Sequence, residues 1–142
     1  MSSRLSAHFH KLLANALNGQ LLNKKIIIND RPLLVEWTPR AQRELDRRIH
    51  PLYVEMELYF SCMVKQFIHF RDEPRNRAPI YVNKNFAVYF RPVTSTACSM
   101  EIAADLGRQP ETELHNGAAL RMVPKRMFID FKNSQWIGEY WP

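Results

Sequence analysis

The sequence predicts an α+β fold: a strongly curved antiparallel sheet, or an incomplete barrel, with an N-terminal helix and a second short helix packed on one face or end. Three observations point there. Residues 53–70, YVEMELYFSCMVKQFIHF, alternate apolar and polar side chains with the period of a strand. Short apolar runs elsewhere are separated by turn-forming Asn, Asp, Lys and Pro residues. Nothing resembles the alternating strand–helix units that build parallel sheets.

Each element follows in order. Leu5, Phe9, Leu12, Leu13 and Ala16 share one face of a helix over residues 3–18, and Gly19 offers a stop. KIIIND and RPLLVEW are two short strands around Asn29-Asp30-Arg31, with Pro32 pushing the second toward a sheet edge. Thr38 and Pro39 supply an N-cap and a first-turn proline for a helix over 39–49, which Pro51 closes. The 53–70 stretch exceeds an ordinary strand, so a bend or bulge is expected near Ser61-Cys62. RDEPRNRAP reads as a loop. IYVNKNFAVYF reads as two strands joined at Asn83-Lys84-Asn85. TACSMEIA fits strand or helix, with strand preferred. GRQPETELHNG is a second loop, and MVPKRMFIDF with WIGEYW forms a final hairpin.

A chain of 142 residues with 46% hydrophobic and 24% charged residues suits a single domain, 1–142, with a packed core. Twenty Lys and Arg outweigh fourteen Asp and Glu, giving a net charge of +6. That balance favours acidic or phosphate-rich partners but says nothing about fold. Cys62 and Cys98 do not make a disulfide framework, and no apolar run has the length of a membrane span. A cytoplasmic protein with reduced thiols is the expectation.

On the polar side of residues 53–70 stand Glu55 and Glu57, with Cα atoms about 7 Å apart along a strand. Such a pair can divide acid and base work, yet the same spacing hydrates the open face of countless antiparallel sheets. A wet face is therefore expected. Tyr59 and His69, with Met63 and Phe67, make that face less polar than plain solvated surface. A concave ligand pocket and a face covered by a helix or partner both fit this, and coverage is preferred. Neither cysteine has a base within local reach, and both fall on apolar phases. His8 and His10 fall on different sides of their helix, His50, His69 and His115 are isolated, and no C-x-x-C pair exists, so neither metal nor cofactor is implied. Four scattered glycines exclude a phosphate-cradling loop. KNFAVYF shares Lys84, Phe86 and Ala87 with an RNA-recognition strand pattern but breaks it at the glycine and aromatic positions.

Arg40, Arg43 and Arg47 gather on the helix arc opposite Ala41, Leu45 and Ile49, where guanidinium groups can grip phosphates or carboxylates. Glu44 within that arc can equally pair with them. At the terminus, Trp136 and Tyr140 share one strand parity and Trp141 the other, so one sheet face does not bury both tryptophans. Exposed aromatics beside arginine are typical interface anchors.

The expected function is a small basic, non-enzymatic binding or accessory protein acting through protein–protein contacts, with a protein partner or self-association as a homodimer. The binding residues are Arg40, Arg43, Arg47, Tyr59, His69, Trp136, Tyr140 and Trp141. One alternative is a nucleic-acid-binding module using the arginine-rich helix. A second is a ligand-binding or hydrolytic curved sheet using Glu55, Glu57, Tyr59 and His69.

Overall fold

A computed structural model describes residues 20–61, 63–75, 77–95 and 111–142. The helix expected over 3–18, the 96–103 stretch and both cysteines lie outside the described residues. Within them the chain forms nine strands and two helices. β1 (Leu22–Ile28) and β2 (Arg31–Trp37) lead to α1 (Pro39–Arg47). β3 (Leu52–Phe60), β4 (Val64–Arg71), β5 (Ile80–Asn83) and β6 (Phe86–Ser95) follow. β7 (Glu111–Glu113), the one-turn α2 (Gly117–Leu120), β8 (Arg126–Lys132) and β9 (Gln135–Trp141) complete the order.

Local chemistry explains the punctuation. Asn29 and Asp30, then Asn133 and Ser134, take positive φ between 50° and 65°. Two successive left-handed residues match the right-handed twist of the flanking strands, and Asn and Asp tolerate that conformation. The Thr38 hydroxyl accepts the Ala41 N–H at 3.1 Å, and Pro39 follows it as the sequence predicts. The helix stops at Arg47, two residues early, because Arg48 is already extended. Ile49 is thus left 92% exposed instead of completing the apolar stripe.

The expected single curved antiparallel sheet is replaced by two stacked mixed sheets. The first has strand order β1-β2-β8-β9 and the second β4-β3-β6-β5, with β7 also on β6. Each is two antiparallel hairpins joined down the middle by one parallel pair, β2 with β8 and β3 with β6. These parallel pairs link strands far apart in sequence, so no local pattern announces them. Where a bend within one long strand is expected, two strands stand instead, β3 and β4, paired antiparallel from Tyr53↔Arg71 to Phe60↔Val64. Pro32 is not on an edge strand. It is tolerated because the β2–β8 pairing begins only at Leu34, so a missing N–H interrupts no ladder. The loop expected before residue 117 contains the short strand β7.

Between the sheets lies the core. Leu33, Val35, Trp37, Met127, Ile129 and Tyr140 from the first meet Val54, Met56, Leu58, Phe86, Val88 and Phe90 from the second. Trp37 meets Phe86 edge-on at 5.1 Å, and Trp136 stacks on Phe70 at 5.9 Å. Ala41 and Leu45 bring α1 into the same cluster. Gly138 sits where β9 crosses β4. A Cβ there would stand 2.8 Å from the Phe128 carbonyl oxygen and 2.9 Å from Ile68 Cδ1. Because a carbonyl in a β-ladder cannot easily retreat, Gly138→Ala is expected to cost about 1–3 kcal/mol through overpacking. Urea titration measures this, and an unchanged midpoint would mean the sheets have slack at this crossing.

Candidate functional site

The centre of the second sheet's outer face is dry, although Lys65 and Tyr81 at its flanks are exposed. Glu55 is 0% exposed and Glu57 1%. Strand pairing explains how two carboxylates on the same strand phase tolerate this. β6 places Tyr89 directly opposite Glu55 and Arg91 opposite Glu57, and β4 places His69 opposite Glu55. Arg71 Nε and Nη2 each donate to a different Glu55 oxygen at 3.2 Å, and the Tyr89 hydroxyl donates to Oε1 at 2.7 Å. Arg91 Nη1 lies 3.5 Å from Glu57 Oε1, and its Nε donates to Glu113 of β7. Arg77 adds a longer pairing with Glu113 at 3.6 Å and donates to the Leu114 carbonyl. Burial, reinforced by the hydrogen bond to Glu55, pushes the Tyr89 hydroxyl up to about 12. Tyr89 therefore stays a neutral donor.

His69 completes the cluster, its Nε2 lying 3.2 Å from Glu57 Oε1 and 3.6 Å from Glu55 Oε2. An ionised carboxylate only accepts, so Nε2 carries the proton in this arrangement. Glu55, Glu57 and His69 bring three potential ligand atoms within 4.8 Å of one another, a donor set suited to a divalent ion. Arg71 and Arg91 already neutralise these carboxylates, so a cation would have to displace two guanidinium contacts. The cluster is better suited to holding β3, β4, β6 and β7 together than to holding a metal.

Of the residues expected to bind, most are engaged elsewhere. Arg40 forks onto the buried Asp130 through Nε and Nη2, and the Thr38 hydroxyl donates to the same carboxylate. Burial pushes Asp130 up, but the hydrogen bonds from Arg40, Thr38 and the Phe131 N–H outweigh it and hold the carboxyl below its ordinary value. Arg47 is exposed and pairs with Glu44 at 3.2 Å, while Arg43 is exposed. Tyr59 is buried beside Phe67, and His69 belongs to the charge cluster. Trp136 packs between Phe70 and Phe131. Tyr140 is buried with its hydroxyl donating to the Glu57 carbonyl across the two sheets, and burial raises its pKa. Trp141 is half-buried, on the phase opposite Trp136 and Tyr140 as its parity predicts.

A different surface has no signature in the local sequence. A groove of about 570 Å³ is lined by Lys25, Arg31, Pro32, Leu34, Arg121, Val123 and Lys125. Its rim carries four cations and its lining no carboxylate. None of the four cations is paired with a carboxylate of the described residues. The floor is apolar: Pro32, Leu34 and Val123. Ile27, 57% exposed, shares the outer face of β1 with Lys25. The walls are tied in place by hydrogen bonds. Asn29 Nδ2 donates to the Leu120 carbonyl at 2.7 Å, and Leu34 N–H donates to the Lys125 carbonyl at 3.0 Å. Lys125 N–H in turn reaches the Trp141 carbonyl at 2.9 Å. Residues 25–34 and 121–125 meet only because β2 and β8 pair in parallel, so no local motif could have revealed the groove. No helix among the described residues is long and apolar enough to cross a membrane. No protein-family model, curated protein or solved structure matches the chain.

Proposed function

We propose that this chain is a non-enzymatic binding protein acting through protein–protein contacts, and that the cationic groove receives an acidic, partly apolar segment of its partner. The observation that carries this reading is the combination of four cations lacking a described carboxylate partner with an apolar floor. Apolar lining supplies burial, while single-sign charge around it steers an acidic partner and rejects a basic one. The volume lies in the range of preformed ligand sites, large enough for one or two apolar side chains. The arginine-rich helix offers less to a phosphate backbone, because Arg40 is committed to Asp130 and Arg47 to Glu44.

The test is a fluorescence titration of a labelled twelve-residue peptide in which glutamates flank leucine and phenylalanine. Binding is expected with Kd on the order of 1–100 μM at low salt, corresponding to about −8 to −5.5 kcal/mol. It should weaken on raising salt to about 0.5 M without vanishing, since the floor contact is not screened. A lysine-for-glutamate version should not bind. Equal binding of both peptides, or tighter binding of duplex DNA than of the acidic peptide, overturns the reading.

A further inference from the structure

The hydrogen-bonding phase of β1 fixes which of its backbone groups are free. In a hairpin closed by a two-residue turn, the residues flanking the turn exchange hydrogen bonds, and bonded and non-bonded pairs alternate from there. Ile28↔Arg31, Ile26↔Leu33 and Lys24↔Val35 are thus the bonded pairs, while Ile27↔Pro32, Lys25↔Leu34 and Asn23↔Glu36 are not. Two facts agree with this phase. Pro32 has no N–H to give to β1, and the Leu34 N–H points the other way, onto the Lys125 carbonyl. The N–H and C=O groups of Asn23, Lys25 and Ile27 therefore point away from β2. On that side no described strand pairs with β1, and residues 22–25 are all exposed.

We propose that this edge takes up an extended acidic segment of a partner as an added strand. The partner's charge rests on the groove reading above, and the backbone pairing is what is new. Main-chain bonds to Asn23, Lys25 and Ile27 would give affinity, and alternate side chains would give selectivity. Charge decides the occupant. Lys24 and Lys25 project to opposite faces of β1, so a second copy of this edge would bring lysine against lysine, which sheets avoid. An acidic strand meets a lysine on either face. On the outer face its side chains emerge beside Lys25 and Ile27, at the flank of the groove.

The experiment uses the full chain and the same acidic peptide, N-methylated at alternate residues in one phase or in the other. Methylation removes the donors facing β1 in only one phase. One methylated peptide should lose about tenfold or more in affinity, and the other should stay within about twofold of the parent. Asn23→Pro, which deletes an edge-facing N–H without touching the ladder to β2 or any charge, should weaken the parent peptide by several-fold. If that variant does not fold, the two methylated peptides alone decide. Equal binding of both methylated peptides, with binding still lost in Lys25→Glu, overturns strand addition and leaves the groove reading standing. Absence of binding by any acidic peptide overturns both. A dimer that the peptide does not displace and that Asn23→Pro dissolves makes the occupant a second copy, and overturns the proposal.

Discussion

Glu55→Ala is expected to destabilise the protein by about 3–5 kcal/mol, the range for removing one partner of a buried ion pair. Its carboxylate is fully buried and accepts from Arg71 Nε and Nη2 and from the Tyr89 hydroxyl, so removal leaves three donors without this acceptor. Leu58→Ala, a large-to-small change in the core, is expected to cost about 2–5 kcal/mol. A surface glutamate on a wet sheet face would cost far less than the leucine. Guanidinium chloride titrations of the two variants decide the matter, because comparable losses are expected here. A loss below about 1 kcal/mol for Glu55→Ala would restore the solvated face that the alternation of residues 53–70 suggests.

Asp130→Asn is expected to cost about 2–3 kcal/mol at pH 7. That lies under the full range for a buried pair because Arg40 remains about one-third exposed and its charge is partly screened. The pH dependence has a definite sign. Asp130 is held below its ordinary value in the folded protein, so its stabilisation is complete above the unfolded-state value near 3.8. It is lost as pH falls through the lower folded-state value. The gap between parent and variant should therefore narrow as pH falls below about 4. A gap that stays constant from neutral pH to about pH 2 would show that the Arg40–Asp130 fork contributes nothing.

Local features were legible because local chemistry determines them. The Thr38-Pro39 helix start, the turns at Asn29-Asp30 and Asn133, the β5–β6 hairpin and the apolar phase Val54, Met56 and Leu58 all follow from cap, turn and period-two rules. What pairs with what was not legible. An alternating strand tells which side chains share a face, but not which strand supplies the neighbours. Glu55 and Glu57 looked like solvent residues because Tyr89 and Arg91, which satisfy them, lie 34 positions away on a parallel neighbour. The same blindness hid the groove, whose halves are nearly a hundred residues apart. Arg40 illustrates the opposite error. Helical spacing placed it on an exposed arc, but Asp130, 90 positions later, draws it inward.

The acidic-peptide titration, repeated on the double charge reversal Lys25→Glu, Lys125→Glu, tests the groove as the binding surface. Both lysines are exposed and neither takes a described carboxylate partner, so the variant should keep the parent's thermal midpoint. Two cations lost and two carboxylates gained at the rim should weaken the peptide by about a hundredfold or more at low salt, and the loss should shrink as salt rises. If the folded variant instead binds the acidic peptide as tightly as the parent, the groove is not the binding surface.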